Sequence, residues 1–250
     1  MTTAAFLPSW LVVSFAVVLG GLVGWFLDVV VWRVPRGVSI TKPGGADSER
    51  RPRVSMRRLL LALGTAASFV LVALGAYGGV YPAVVVPLLL YWAAVSIALA
   101  LIDLEHFRLP NAIVFPSYVV TVVALVIASI LTGEWGRLLQ ATAGFAGLGV
   151  FFLALAVSSP RGMGFGDVKL AGALGSWLGW LGWPQLLVGA FTAFIGGGIF
   201  GAVLLIARRA TRTSRIPFGP FMLLGAWIGV FAGPALVGFS LSPTAVGGAP

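Results

Sequence analysis

Cysteine is absent from the 250-residue chain, and histidine occurs once, as His106. Without thiols the chain can form neither disulfides nor thiolate metal sites. A single imidazole also excludes a metal site built from several histidines. We therefore expect a protein that uses no metal ion and no other cofactor.

Charge is scarce as well, at 9% of the residues, whereas soluble domains contain about 25%. Neither 59–102 nor 170–207 contains Asp, Glu, Lys or Arg. A membrane-spanning helix needs roughly 20 apolar residues, so each stretch is long enough for two crossings. Breaks rich in glycine and proline at 78–82 and 182–184 divide the two stretches. These features predict a polytopic membrane protein and exclude a soluble fold.

The apolar pattern predicts an all-α protein with eight membrane-spanning helices. The expected ranges are 9–31, 59–77, 82–102, 111–132, 138–157, 167–182, 185–207 and 216–238. No basic residue precedes Arg33, so the first apolar stretch lacks the basic start of a signal peptide and is expected to remain as a span. Small residues four apart, such as Gly20 and Gly24, are interpreted as helix-packing contacts.

Basic residues are distributed unequally between the two sides of the predicted membrane protein. Alternating crossings place loops 32–58, 103–110, 158–169 and 208–215 on one side, and these loops hold every basic residue except Arg137. Since basic loops stay in the cytoplasm, both termini are expected outside. This topology accounts for the net charge of +9 with membrane lipids, and not nucleic acid, as the partner.

Only seven acidic residues occur, so each can be considered as a candidate for chemistry. Four of them fall near the predicted membrane: Asp28, Asp103, Glu105 and Asp167. Acids at membrane depth are costly and usually functional. Asp28 is expected to pair with Arg33, and Glu105 is expected to be a solvated loop acid.

Asp103 and Asp167 lie at the cytoplasmic ends of two different predicted helices. Two carboxylates that face each other in a partly dry site cannot both ionise easily, so such a pair shares one proton. An ionised Asp can then take a proton from water while its protonated partner hydrogen-bonds a scissile carbonyl. The glycines beside Asp167 are expected to allow unusual backbone conformations and to leave room for a substrate strand.

Three segments that contain or follow these acids resemble the prepilin peptidases, the type IV leader peptidase family of GxGD-type intramembrane aspartic peptidases. They are Asp103-x5-Leu109-Pro110-Asn111, Gly164-Phe165-Gly166-Asp167 followed by Val168-Lys169-Leu170, and Ile216-Pro217-Phe218-Gly219-Pro220-Phe221. The resemblance implies that Asp103 and Asp167 are catalytic. It also implies that Pro110, Asn111, Gly164, Gly166 and Lys169 bind substrate or support the site.

By this resemblance the enzyme would cut the short basic leader from type IV pilin-like precursors at the bacterial plasma membrane. The peptidase domain would occupy 82–250, and 1–81 would be a reduced counterpart of the family's N-terminal region. Bifunctional members carry paired cysteines in a cytoplasmic domain that accompanies N-methylation, and this chain has none. The family usually has Asn where this chain has Asp28.

Two other functions fit parts of the sequence. A transporter or channel could use Asp103 and Asp167 as a proton or cation relay, since intramembrane acids often serve that role. Such proteins tend to show paired halves and midplane sites, and the sequence shows no internal repeat. A non-enzymatic subunit of a pilus or secretion machine would leave two motif-embedded aspartates without a purpose.

Overall fold

The computed structural model describes residues 8–36, 56–158, 163–207 and 217–237, and within these ranges it contains helices and no strand. The eight α-helices are α1 Ser9–Arg33, α2 Met56–Tyr77, α3 Val86–His106, α4 Asn111–Thr132, α5 Trp135–Ser158, α6 Phe165–Leu181, α7 Trp183–Ile206 and α8 Gly219–Val237. All eight predicted helices are confirmed, with ends shifted by a few residues. Most of the basic loop after α1, the loop before α8 and the C-terminal tail lie outside the described residues.

Seven of the eight helices are long and apolar enough to cross a membrane, and α6 is the exception. At 17 residues, α6 is about 26 Å long, shorter than a hydrocarbon core of about 30 Å. Every residue from Leu170 to Leu181 is buried. Because the surrounding helices and not lipid cover α6, its length does not have to match the bilayer.

The contacts between helix ends agree with the predicted alternation of crossings. At one end of the bundle, the end of α1 meets the start of α2 through Asp28 and Arg58. The end of α3 meets the start of α8 through Asp103 and Gly219. The starts of α4 and α6 also meet. The described helix ends that flank the predicted cytoplasmic loops therefore meet at this end, and α1 begins and α8 ends at the other.

Gly20 and Gly24 bring α1 into close contact with α2, which confirms their predicted packing role. A Cβ at Gly20 would lie 2.6 Å from the Cα of Ala66, and one at Gly24 would lie 2.5 Å from the carbonyl oxygen of Leu61. Both distances are too short for any other residue. The N-terminal helix pair thus depends on backbone approach between glycine and its neighbours.

Large aromatic side chains fix α3 against α6, the two helices that carry the candidate aspartates. Trp92 of α3 and Trp177 of α6 stack with ring centroids 5.9 Å apart. The indole N–H of Trp92 donates to the hydroxyl of Thr121 in α4 at 3.0 Å. Since both rings are buried, this contact sets the relative position of α3 and α6.

Candidate active site

Asp103 lies in the last turn of α3 and is 5% exposed. Its Oδ2 accepts a hydrogen bond from the backbone N–H of Gly219 at 3.0 Å. Gly219 is the first residue of α8, where backbone N–H groups have no partner within the helix. The carboxylate of Asp103 therefore occupies the N-terminus of α8, and this contact ties α3 to the C-terminal helix.

Asp167 is the third residue of α6, and it caps the same helix. Its Oδ2 accepts a hydrogen bond from the N–H of Gly164 at 3.2 Å, while the N–H of Asp167 donates to the carbonyl of Gly164 at 3.0 Å. The positive end of the α6 dipole favours a negative charge at this position. Helix capping thus fixes the direction of the Asp167 side chain.

Both aspartates line one cavity of about 250 Å³. Its lining residues are Asp103, Phe107, Arg108, Leu109, Asn111, Gly164, Gly166, Asp167 and Lys169. Residues 64 positions apart in the sequence are therefore brought to a single site, together with four of the five predicted supporting residues. The acids face a cavity that also contains the cationic side chains of Arg108 and Lys169.

Lys169 and Asn111 join α6 to α4 at the rim of this cavity. The Lys169 Nζ donates to the Asn111 Oδ1 at 3.0 Å and lies 5.0 Å from the centroid of the Phe115 ring. The hydroxyl of Tyr118 donates to the carbonyl of Lys169. These contacts hold the start of α6, and hence Asp167, against α4.

Pro110, the fifth predicted supporting residue, lies beside the cavity and forms the N-cap of α4. Its carbonyl accepts hydrogen bonds from the N–H groups of Ile113 and Val114 at 3.0 and 3.1 Å. Proline fixes its own φ near −65°, which suits a helix start. Pro110 therefore determines where α4 begins and where Asn111 is placed.

The prediction that the glycines beside Asp167 adopt unusual backbone conformations is wrong for Gly164 and Gly166. Gly164 has φ −85° and ψ 150°, and Gly166 lies inside α6, so both adopt conformations open to any residue. What Gly166 provides is space, because a Cβ there would lie 3.2 Å from the Cβ of Leu109. This close approach brings the loop after Asp103 next to the start of α6.

Three residues at the site were not singled out from the sequence. Phe107 has φ 52°, a left-handed conformation that is strained for a bulky residue and often marks functional sites. Phe107 and Arg108 lie inside the first motif, whose intervening positions were left unassigned. Gly219 lies in the third family-like segment, which had been noted without a role for any residue.

Asp28 belongs to an ion-pair network outside the cavity. It is 2% exposed, and its Oδ2 accepts hydrogen bonds from the Nε and Nη2 of Arg58 at 3.2 and 3.0 Å. Arg57 approaches Asp28 at 3.6 Å and Glu105 at 3.1 Å. Proximity in the sequence had suggested Arg33 as a partner, and the structure adds these two arginines from α2.

Glu105 was expected to be a loop residue, but it lies in a helix because α3 continues to His106. Its side chain is 39% exposed and paired with Arg57, and it does not line the cavity. Glu105 therefore joins α3 to α2 outside the cavity. Within the described ranges no group of three or more His, Cys, Asp or Glu side chains could hold a metal ion.

Replacing Asp28 with Ala should destabilise the folded protein. The change removes the buried carboxylate that accepts two hydrogen bonds from Arg58, whose side chain is 16% exposed, and breaking a buried pair costs up to roughly 3–5 kcal/mol. We expect the unfolding temperature in detergent to fall by several degrees. Glu134→Ala is the matched control, since Glu134 pairs with Arg137 in an exposed position, where ion pairs contribute about 0–1 kcal/mol. Equal unfolding temperatures for the two variants would contradict the structural role of Asp28.

Comparisons with known proteins show the family to which the chain is similar. The model of the type IV leader peptidase family matches residues 88–206. A prepilin leader peptidase/N-methyltransferase from Pseudomonas putida is 30% identical over 93% of this chain and 94% of its own length. A protein of the same name from Aeromonas salmonicida is 32% identical over 62% of this chain, and the match covers about half, 52%, of its length.

The counterpart from Pseudomonas aeruginosa is 32% identical over 58% of this chain and 49% of its own length. The matched region thus spans about half the length of several of these relatives, and nearly all of the Pseudomonas putida protein. No solved structure matches the chain. The family model matches the segment that carries both cavity aspartates, and one relative aligns over almost its entire length, so the chain belongs to the type IV leader peptidase family.

Proposed function

We propose that the protein is a membrane-embedded aspartic endopeptidase that removes the leader from type IV prepilin-like precursors. The observation that carries this proposal is that Asp103 and Asp167 line the same cavity. Membership of the family supports the substrate class, since relatives are named prepilin leader peptidases. The proposal covers peptidase activity alone, because the chain lacks the paired cysteines that accompany N-methylation in bifunctional members.

The proposed reaction is the hydrolysis of a peptide bond by two carboxylates that share a proton. The ionised carboxylate takes a proton from water, and the resulting hydroxide attacks the scissile carbonyl carbon as the other carboxyl protonates the carbonyl oxygen. The first carboxyl then passes the proton it took from water to the amide nitrogen. The C–N bond breaks as one hydroxyl of the tetrahedral intermediate returns its proton to the second carboxylate, which restores the shared proton. Each carboxylate accepts a backbone N–H from a glycine at a helix start, which leaves acceptor capacity for water and substrate.

The cavity residues favour hydrolysis over a proton or cation relay. Both acids lie at the same end of the bundle, whereas a relay needs polar groups at successive depths. Beyond Lys169, α6 presents only apolar, glycine and serine residues toward the opposite end. We therefore propose that the polar site cuts its substrate at one side of the membrane.

We propose that residues 82–250 form the peptidase domain and that 1–81 form a supporting unit at a bacterial inner membrane. Residues 82–250 hold both aspartates and Gly219. Residues 1–81 contribute the Asp28 network, which braces α3. The multi-pass helices support membrane insertion, and the basic loops support a cytoplasmic site.

Reporter fusions should locate the site on the cytoplasmic side. A reporter active only in the cytoplasm should work after Arg53 or Arg212, in the basic loops. One active only outside should work after Gly79 or Gly133, at the other end of the bundle. Reversed activities at either pair would place Asp103 and Asp167 outside and contradict cytoplasmic cleavage.

Cleavage by the purified protein tests the proposal directly. The chain in detergent micelles is incubated with a type IV prepilin-like precursor, and the products are sequenced from their N-termini. We expect one new N-terminus directly after the leader. An intact precursor, under conditions in which the protein stays folded, would favour a non-enzymatic assembly subunit instead.

A further inference from the structure

A second cavity, which we call the lateral groove, opens beside the candidate active site. It has a volume of about 520 Å³ and lies between α2, α3 and α8. The lining residues are Ser68, Leu71, Ala93, Ser96, Ile97, Ala100, Pro220, Leu223, Leu224, Trp227, Ile228, Phe231 and Ala232. Leu71 and Leu224 at its edge are 56% and 60% exposed, so the groove opens on the side of the bundle that faces lipid.

The lateral groove extends along α3 toward Asp103. The lining residues of α3, from Ala93 through Ile97 to Ala100, recur every three or four positions, and Asp103 is the next residue on that helix face. Pro220, at the same end of the groove, follows the glycine whose N–H binds Asp103. From Ala93 to Asp103 this face runs for about 15 Å at 1.5 Å per residue.

The chemistry of the lateral groove selects an apolar occupant. Its hydroxyl and indole groups already have partners: Ser68 Oγ donates to the carbonyl of Gly64, and Trp227 Nε1 donates to Ser96 Oγ. A strand would bring unsatisfied backbone N–H and C=O groups, which are costly in an apolar environment. An α-helix satisfies its own backbone and offers only side chains.

From this continuity and chemistry, and resting on the proposed peptidase function, we infer that the lateral groove binds an apolar helix of the substrate next to its scissile bond. The substrate helix would lie along α3 and α8 and end near Pro220. Its extended continuation would then pass Gly219 and enter the cavity between Asp103 and Asp167. The groove thus explains how a peptidase with a polar cavity recognises precursors that are themselves anchored in the membrane.

Disulfide trapping tests this inference, and the absence of native cysteine makes single-cysteine variants unambiguous. Leu224→Cys is introduced into the full chain with Asp167→Asn, so that the precursor remains uncut. Precursors then carry one cysteine at successive positions after the cleavage site. We expect cross-links to Leu224→Cys that recur every three or four positions of the precursor, as on one face of a helix. The control is Leu187→Cys on α7, which is 50% exposed and outside the groove.

A kinetic comparison supplies a second measurement. Ala100→Phe fills the groove near Asp103 and should lower kcat/KM for the full precursor by about tenfold or more, equivalent to about 1.4 kcal/mol of lost binding. For a short peptide that spans the cleavage site but lacks the apolar helix, Ala100→Phe and the unchanged protein should have the same kcat/KM. An equal loss for both substrates would overturn the inference.

The trapping result is independent of cleavage, so the two proposals can fail separately. Cross-links that are equal at Leu224→Cys and Leu187→Cys, or that join only two copies of this chain, would overturn the groove and leave the peptidase intact. If Leu224→Cys gave periodic cross-links and the unchanged protein cut no precursor, the groove would be supported as a helix-binding site and the peptidase rejected.

Discussion

Asp103→Asn and Asp167→Asn should each abolish leader cleavage, with a loss of at least about 10³-fold in kcat. Asn keeps the size of the side chain but can neither act as a base nor share a proton. The Asn oxygen can still accept the hydrogen bond from Gly219 or Gly164 that the structure gives each carboxylate. Both variants should therefore insert and fold, and the loss should reflect chemistry. Cleavage of one precursor is measured at matched amounts of folded protein.

Two further variants are measured in the same assay: the double variant with Asp103→Asn and Asp167→Asn, and Glu105→Gln. Residues that act as one catalytic unit are not additive, so the double variant should be scarcely slower than either single one. Glu105→Gln is the matched control, because Glu105 is two residues from Asp103 but pairs with Arg57 outside the cavity. Near-normal cleavage by either Asp→Asn variant would reject the mechanism. A loss in Glu105→Gln alone would move the first catalytic carboxylate by two residues.

The helices could be predicted from the sequence because their signals are local. Uncharged stretches interrupted at 78–82 and 182–184 indicate where spans begin and end, and the basic loops indicate which ends lie together. α6 shows the limit of this approach. Its predicted range, 167–182, was already short, but the sequence did not show that neighbouring helices bury Leu170 to Leu181, because burial by neighbours is not visible in a local pattern.

The shared location of Asp103 and Asp167 in one cavity could be predicted because acids are rare in this sequence and both lie in family-like motifs. Their immediate partners could not be, since Asp103 binds Gly219 from a helix 116 residues away in the sequence. Lys169 illustrates the same problem. The family resemblance implied that Lys169 binds substrate or supports the site but named no contact, and the structure directs its Nζ to Asn111 of α4.

The glycines around Asp167 lie at the cavity as predicted, but the physical reason predicted for them is wrong. Backbone freedom was expected, yet Gly164 and Gly166 adopt ordinary conformations and Gly166 instead makes room for Leu109. Local sequence cannot distinguish a glycine needed for its φ angle from one needed for close approach. Only the path of the neighbouring segment, here the loop after Asp103, decides between them.

Gly219→Ala should reduce cleavage by about 100-fold, the loss expected when a catalytic group is displaced by about 1 Å. A Cβ at this position would lie 2.7 Å from the Asp103 Oδ2 and 3.3 Å from its Cγ, so the carboxylate has to move. Its displacement also weakens the hydrogen bond from the Gly219 N–H. Alanine favours helix formation over glycine by about 1 kcal/mol, so α8 itself should not be weakened.

The matched control for this substitution is Gly198→Ala in α7, where an added Cβ would meet no atom within 4 Å. That variant gains the same helix propensity without touching the cavity, and it should cleave the precursor at the rate of the unchanged protein. The measurement compares kcat and KM for both variants on one precursor, together with their unfolding temperatures. A displaced carboxylate lowers kcat with little change in KM, because it acts in the transition state and contributes little to holding the substrate. If Gly219→Ala cleaved as fast as Gly198→Ala, the contact between α8 and Asp103 would have no part in placing the catalytic carboxylate.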